Sequence, residues 1–149
     1  MSLHIYQVDA FTNRLFAGNP AAVVPLSEWL PDHVMCAISA ENNLSETAFF
    51  VPTIDNGADF HLRWFTPTLE VAMCGHGTLA TAALILERME PEAPEVAFST
   101  LSGELIVRRG VKVAGAAEVL VSVYSKAPGV PPARGVVLEA YDTVTYHTT

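Results

Sequence analysis

The sequence predicts an α+β domain in which a sheet of short strands curls around one central helix. The stretch TLATAALILERM, which begins at Thr78, is apolar on all sides until Glu87, as is typical of a helix buried in the middle of a domain. Most other segments are short strand-like runs bounded by glycine, proline or polar residues. With 149 residues, half of them apolar, the chain is about the size of one ordinary domain.

The first half of the chain alternates short strands with one helix. Residues 30–43 are predicted to form that helix, because Pro31 suits its first turn and Asp32 lies near the positive end of its dipole. Pro67 cannot donate to a central ladder and would close the last strand of this half. The predicted strands are residues 3–11, 21–26, 45–51 and 59–65.

The second half is predicted to be the central helix followed by an antiparallel meander. A proline-punctuated linker, PEAPE, separates the helix from four short segments, which are residues 95–100, 103–109, 111–115 and 117–124. From Lys126 the composition changes to a proline-containing stretch with a threonine-rich end. We therefore assign residues 1–125 to one folded lobe and residues 126–149 to an extension with one strand over residues 135–141.

Charge and composition limit the classes of partner. The net charge of −8 argues against nucleic acid and anionic membranes, since both need a basic footprint. No apolar run approaches the roughly 20 residues that cross a bilayer, and no basic, cleavable segment opens the chain. The two cysteines, Cys36 and Cys74, suit a reducing compartment. We expect a soluble cytoplasmic protein that binds small molecules or other proteins.

The turn Cys74-Gly75-His76-Gly77, followed by Thr78, is the first candidate site. It lies at the predicted N-terminus of the central helix, where free N–H groups and the dipole favour an anion such as a carboxylate. The alternative is a tight strand-to-helix turn with Thr78 as a simple cap. Cys74 is a candidate nucleophile or base beside the imidazole, and its alternative is a buried structural cysteine.

Glu46 is a second candidate, at the start of a predicted strand in the block NLSETAF. If Phe49 and Trp64 wall it in and it shares a cavity with His76, this carboxylate can move a proton; otherwise it is an ordinary solvated glutamate. The five histidines show no metal-ligand spacing, and Cys74-x-His76 offers two ligands alone. No phosphate-binding glycine motif is present. We therefore expect neither a metal nor a nucleotide cofactor.

Four blocks resemble the N-terminal half of the phenazine-biosynthesis isomerase (PhzF-like) family. They are YQVDAFTNRLFAGNPAAVV, ENNLSETAFFV, LRWFTPTLEVAMCGHGTLATAALIL and STLSGELIV, which match in order and spacing across about residues 5 to 107. This family is similar in fold to diaminopimelate epimerase, with two α+β lobes, each a sheet curled around a central helix. The resemblance implies one such lobe, with a curled, mainly antiparallel sheet.

The resemblance also implies an activity and a set of site residues. It implies a cofactor-independent isomerase or epimerase that moves a proton on a small carboxylate-bearing substrate, with Glu46 as acid/base and His76 assisting by hydrogen bonding. In the related epimerases a cysteine is the catalytic base, whereas in the PhzF-like group the glutamate takes this role. The resemblance therefore makes Cys74 a weaker candidate for the base than Glu46. The implied substrate-binding positions are Gly75, Gly77, Thr78, Asn19 and Asp9.

No segment of this sequence after Tyr124 resembles the second lobe of the family. That lobe supplies an aspartate and a second glycine-rich helix start to the shared cleft. Three hypotheses follow. Two copies of this chain pair as a homodimer and rebuild the cleft; the lobe is a non-catalytic binding or interaction module; or Cys74 and His76 form a thiol hydrolase pair, which lacks a recognisable orienting Asn or Asp.

Overall fold

Helix α2 (Gly75–Leu84) is the centre of the structure, a computed structural model that describes residues 2–11, 16–54, 57–109, 120–125, 138–139 and 143–146. Every residue of α2 from Gly77 onward is buried, and the chain continues as a π-helical turn over Ile85–Met89. Arg109 donates to the carbonyl group of Leu86 at the helix end and to those of Pro91 and Ala93 in the segment that follows. The buried helix predicted from the sequence is therefore present.

The strands form one sheet in the order β10-β1-β2-β3-β4-β6-β7-β8-β9, with β5 paired to β4. Seven of the nine described strand pairings are antiparallel, and β2–β3 and β4–β6 are parallel. The predicted α+β class and mainly antiparallel sheet are confirmed. The strands are β1 (Ile5–Ala10), β2 (Asn19–Pro25), β3 (Thr47–Pro52), β4 (Phe60–Phe65), β5 (Glu70–Val71), β6 (Glu95–Thr100), β7 (Gly103–Arg108), β8 (Leu120–Ser125), β9 (Leu138–Glu139) and β10 (Thr143–Tyr146).

Strand alternation divides the core into two layers, one on each face of the sheet. On β3, Ala48 and Phe50 belong to the layer that surrounds α2, while Phe49 and Val51 belong to the other layer. This second layer is covered by helix α1 (Asp32–Asn42), whose Met35 is fully buried. The sheet is thus apolar on both faces, as the unbroken run of buried residues in β3 indicates.

Arg63 links α1 to the face of the sheet that this helix covers. Its guanidinium donates to Glu70 at 2.8 and 2.7 Å and to Asp32 at 3.0 Å. It also lies 5.0 Å from the ring centre of Trp29, a cation–π contact. The hydrogen bond to Glu70, together with the one to Asp32, raises the pKa of Arg63 further above its ordinary value, and burial works against this.

Two features of the sheet are absent from the sequence prediction. Strand β5 is a two-residue pairing, and β10 returns to pair with β1. The predicted strand over residues 111–115 lies outside the described residues. Strands β9 and β10 lie in the segment assigned to an extension, and the boundary at residue 125 stays a prediction. Within the described part of the chain, neither helix has the length and apolar character needed to span a bilayer.

Phe50→Ala should lower the free energy of unfolding by about 3–5 kcal/mol, because it leaves a cavity in the layer around α2. The Phe50 ring is buried and meets Phe60 edge-to-face, with ring centres 5.2 Å apart. Urea unfolding followed by circular dichroism measures the change. Ile54→Ala, at a side chain that is 102% exposed, is the control and should change the value by less than about 0.5 kcal/mol. Equal losses in both variants would contradict the assignment of the core.

Candidate active site

Cys74 begins helix α2 and occupies the N-cap position. Its backbone is extended, with φ −145° and ψ 104°, and its Sγ accepts the N–H of Gly77 at 3.3 Å. Oxygen-bearing residues usually fill this position, and here the sulfur satisfies one of the orphan N–H donors. The side chain is 6% exposed and packs in the layer around α2. Cys74 therefore has a structural role as the cap of α2.

Strand alternation brings Glu46 to the same corner. Glu46 directly precedes β3 and alternates in step with Ala48 and Phe50, which face α2. Its Oε2 lies 3.4 Å from Nε2 of His76, the second residue of the helix. A carboxylate that is 30 residues distant in sequence from the imidazole thus reaches it because the strand end and the helix start coincide.

The imidazole of His76 lies between the carboxylate and the thiol. Nδ1 is 3.4 Å from Sγ of Cys74, while Nε2 faces Glu46, and a donor atom of each of the three residues lies within 4.8 Å of the others. The side chains of His76 and Glu46 are 12% and 25% exposed, so the group is half-buried and open on one side. A thiol, an imidazole and a carboxylate in this order can pass a proton along a short path.

Two atoms of this group are buried without a hydrogen bond, namely Oε2 of Glu46 and Nε2 of His76. The 3.4 Å that separates them is an ion-pair contact and does not meet the geometry of a hydrogen bond. An unsatisfied buried polar group costs about 1–3 kcal/mol, so both atoms favour a partner. Hydrogen bonds at catalytic groups are often long in the empty protein and shorten when substrate binds.

Trp64 forms the wall of the corner. It lies opposite Ala48 in the β3–β4 pairing, is 1% exposed, and its Nε1 is also buried without a hydrogen bond. A Cβ on Gly77 would lie 2.9 Å from Sγ of Cys74 and 3.0 Å from Cδ1 of Trp64. The contact distances therefore require glycine at position 77 for packing against the cysteine and the indole.

The thiol of Cys74 is held in its neutral form. Burial raises its pKa to about 11, and the negative charge of Glu46 adds to this rise, while the hydrogen bond from the Gly77 N–H opposes it. At neutral pH the side chain is S–H and not thiolate, the form that attacks carbon or disulfide centres. This weakens the thiol hydrolase hypothesis, even though Glu46 lies beside His76, where the sequence offered no orienting Asn or Asp.

The helix start leaves fewer groups for a ligand than the sequence suggests. The N–H of Gly77 binds Sγ, and both the N–H and the hydroxyl of Thr78 donate to the carbonyl oxygen of Cys74, at 3.0 and 2.7 Å. Thr78 is buried, so its side chain is part of the turn. The N–H groups of Gly75 and His76 precede the first intrahelical bond, and an added Cβ at Gly75 would meet nothing within 4 Å. An anion would therefore bind at these two positions.

Asn19 lies at the same end and on the same face of the sheet as Glu46. Strands β2 and β3 are parallel, with Ala22 beside Thr47, so β2 begins three residues before β3 at the same end of the sheet. Asn19 alternates in step with Ala21, which packs in the layer around α2, and its side chain is exposed. This placement makes Asn19 available to a ligand held at Glu46.

Asp9 is separated from the site by strand alternation. Its neighbours Val8 and Ala10 face α2, so Asp9 points to the opposite face. The buried carboxylate accepts the N–H of Phe16 at 3.0 Å and holds the segment after β1. Asp9 is not one of the residues in the Glu46, Cys74 and His76 group. The structure therefore places Asp9 apart from these three residues, and its assignment as a substrate-binding residue stays a prediction.

Ser102 positions the loop that leads to Cys74, a role that the sequence did not signal. Its hydroxyl donates to the carbonyl oxygen of Ala72 at 2.6 Å, and it lies in the turn between β6 and β7. The hydroxyl of Thr100 and the N–H of Ser102 shape this same turn. The STLSGELIV block is thus joined to the site through the backbone two residues before Cys74.

The described corner, with a carboxylate and an imidazole at the N-terminus of a helix surrounded by a curled sheet, is that of an epimerase-fold lobe. The family model described as phenazine biosynthesis-like protein (PhzC-PhzF) matches residues 8–135. The chain belongs to this family.

Individual relatives of this chain support the same family assignment. An uncharacterised isomerase of Pseudomonas aeruginosa is 54% identical over 109 residues, which cover 73% of this chain and 41% of that protein. A phenazine biosynthesis-like domain-containing protein of Homo sapiens is 48% identical over 114 residues, with 73% and 40% covered. The crystal structure of a PhzF family protein from Enterococcus faecalis matches with a TM-score of 0.68 and 47% identity, with 74% and 41% covered. The chain thus spans about two fifths of the length of these relatives.

Gly77→Ala should destabilise the protein by about 1–3 kcal/mol, since the new Cβ overlaps Cys74 and Trp64. Gly75→Ala is the matched control at the same helix start, where the added Cβ meets nothing within 4 Å. It should be neutral or stabilising by up to about 1 kcal/mol. Thermal and urea unfolding of both variants measure the difference. A Gly77→Ala protein as stable as Gly75→Ala would show that the corner is more open than described.

The reactivity of Cys74 should rise through the alkaline range. Since its pKa is raised to about 11, alkylation by iodoacetamide should increase about tenfold per pH unit from neutral pH up to about pH 10, without a plateau. Cys36→Ser leaves Cys74 as the single thiol, and Cys74→Ser reports on Cys36 alone. Circular dichroism at each pH confirms that the protein stays folded. A plateau near pH 8 would show an accessible thiolate and would revive the thiol nucleophile.

Proposed function

We propose that this chain is an isomerase or epimerase that moves a proton on a small carboxylate-bearing substrate without a cofactor. The observation that carries the proposal is the contact between Glu46 and His76 at the start of helix α2, beside the buried Trp64. Family membership supports the same class of reaction. We also propose a cytoplasmic location, which the two free cysteines, Cys36 and Cys74, support.

Each residue of the site has a separate role in the proposed reaction. The N–H groups of Gly75 and His76 receive the carboxylate of the substrate at the positive end of the helix dipole, and Asn19 contacts it from β2. Glu46 removes a proton from carbon, so that the C–H bond breaks, an O–H bond forms on Glu46 and the electron pair stays on the substrate. Glu46 then returns the proton to a different carbon of the substrate, which completes an isomerisation. An epimerisation would instead need a second proton donor on the opposite face of the carbon. His76 orients the carboxylate of Glu46 through a hydrogen bond that forms when substrate binds.

The other wall of the cleft must come from outside the described lobe. The side chain of Glu46 is one-quarter exposed, and water that reaches its carboxylate would slow proton removal from carbon. We propose that a second copy of the chain covers this face in a homodimer, or that a separate lobe does so. The alternative function is a binding module, since the same helix start can hold a carboxylate without turnover.

Glu46→Gln should abolish deuterium exchange while the protein stays folded. Wild-type protein is incubated in D₂O with small hydroxy and amino acids, and mass spectrometry or NMR follows deuterium at carbon. Loss of a general acid/base typically lowers the rate by about 10²–10⁴-fold. Glu41→Gln, at an exposed glutamate of α1, is the matched control and should exchange at the wild-type rate. An unchanged rate in Glu46→Gln would remove Glu46 from the mechanism, and carboxylate binding without any exchange would support the binding module.

The homodimer has its own test. Light scattering over a concentration series down to the low micromolar range should give twice the chain mass of 16.0 kDa. Buried apolar surface at the open face would favour this state. A monomer at every concentration would rule out the homodimer, and catalysis would then require a separate second lobe.

A further inference from the structure

We propose that Glu46, Cys74 and His76 form a zinc-binding site. The three residues come from two distant parts of the chain, yet a carboxylate oxygen, a thiol sulfur and an imidazole nitrogen all lie within 4.8 Å of one another. The sequence alone offers two of these ligands, Cys74 and His76, because the third arrives from the end of a strand. Three protein ligands with one open position are the usual set of a zinc site that exchanges its fourth ligand.

The distances fit a zinc ion after a small adjustment. Zinc bonds of about 2.0–2.3 Å in a tetrahedral arrangement place the donor atoms roughly 3.3–3.8 Å apart. The Glu46–His76 and Cys74–His76 contacts are both 3.4 Å, although they involve opposite nitrogens of the ring. One ion binds a single nitrogen of the ring. The donor atom that faces the other nitrogen lies within 4.8 Å of its partners, so it must move closer by about one ångström. The partly exposed carboxylate of Glu46 has room for this movement.

The unpaired atoms of the corner are a second, independent observation. Oε2 of Glu46 and Nε2 of His76 are both buried and have no hydrogen-bond partner. Their mutual contact at 3.4 Å is an ion-pair approach and does not satisfy either atom by a hydrogen bond. Nε1 of Trp64, fully buried beside them, can donate a hydrogen bond to a metal-bound ligand or to the thiolate. A cation would satisfy the carboxylate and imidazole atoms together, at a place where the fold leaves them unsatisfied.

The donor set selects zinc over the hard cations. Thiolate and imidazole are soft or borderline ligands, whereas Mg²⁺ and Ca²⁺ prefer sets made of oxygen atoms. Binding replaces the thiol proton of Cys74 by the S–Zn bond, and this proton leaves to solvent. No atom changes its oxidation state. The open side of the group supplies the fourth position, for water or for a substrate carboxylate.

Zinc at this position would inhibit the proposed proton transfer. The ion occupies the lone pairs of Glu46 that would accept a proton from carbon, and it removes His76 from its hydrogen-bonding role. The metal site itself is independent of the proposed function, and only this inhibition depends on it. Binding and turnover are therefore measured separately.

The first experiment measures binding on the purified, tag-free chain of 149 residues, reduced and stripped of metal. Equilibrium dialysis with Zn²⁺ should give one ion per chain, and Co²⁺ used as a probe should show a sulfur-to-cobalt charge-transfer band in the near ultraviolet. Cys74→Ser should abolish this band, and Glu46→Gln should weaken zinc binding by about 10-fold or more. The matched controls are Cys36→Ser and Glu41→Gln, which change the same residue types on helix α1 and should bind as wild type.

The outcomes separate the metal site from its alternatives. A cobalt band that survives Cys74→Ser, or that is lost in Cys36→Ser, would overturn the proposal, as would the absence of any stoichiometric zinc. Circular dichroism of each variant shows whether a loss of binding reflects unfolding, and Cys74→Ala repeats the test without an oxygen donor. Zinc binding by a protein whose metal-free dimer shows no deuterium exchange would retain the site and reject the proposed function, while activity that zinc does not change would reject the inhibition.

Discussion

The burial of helix α2 on all sides is the constraint on which the rest of this structure depends. A helix without a polar face must be covered everywhere, and a curled sheet is the element that can do so with short strands. Its small side chains, among them Ala80, Ala82 and Ala83, allow the strands to approach closely. Because the sides of the helix are covered, its polar N-terminus is left at one end of the sheet, where a ligand can reach it.

The candidate site follows from this geometry. Strands β2 and β3 are parallel, so both begin at the end of the sheet where α2 also begins. Asn19 and Glu46 lie on the helix side of the sheet at that end, and Glu46 reaches His76 at the helix start without any special loop. Trp64 on the neighbouring strand fills the space beneath it and limits position 77 to glycine. The same packing that builds the core thus positions the polar group of Glu46, Cys74 and His76.

Much of the fold can be predicted from local sequence patterns, and much of the site cannot. The apolar run after Thr78 and the alternating stretches predict the helix and most strands, because their signals lie within a few residues of one another. The β10–β1 pairing and the two parallel pairings join distant segments, and a local pattern carries no signal for such partners. The proximity of Glu46 to His76 depends on those pairings. From the residues alone, a shared cavity for these two side chains could therefore be stated only as a condition. The PhzF-like resemblance supplied this pair, and it also supplied Asp9, which strand alternation turns away from the site.

The thiol and the carboxylate of this corner differ in how deeply they are buried. Cys74 is almost wholly inside the core, and its neutral S–H form is favoured because a buried charge has no water to solvate it. Glu46 stays partly exposed on the open side, where it can exchange protons or ligands. This asymmetry suits the thiol to capping the helix and the carboxylate to proton transfer. A ligand that brings its own positive charge can reverse the preference of the thiol, which is why proton transfer and metal binding would compete for one group of atoms.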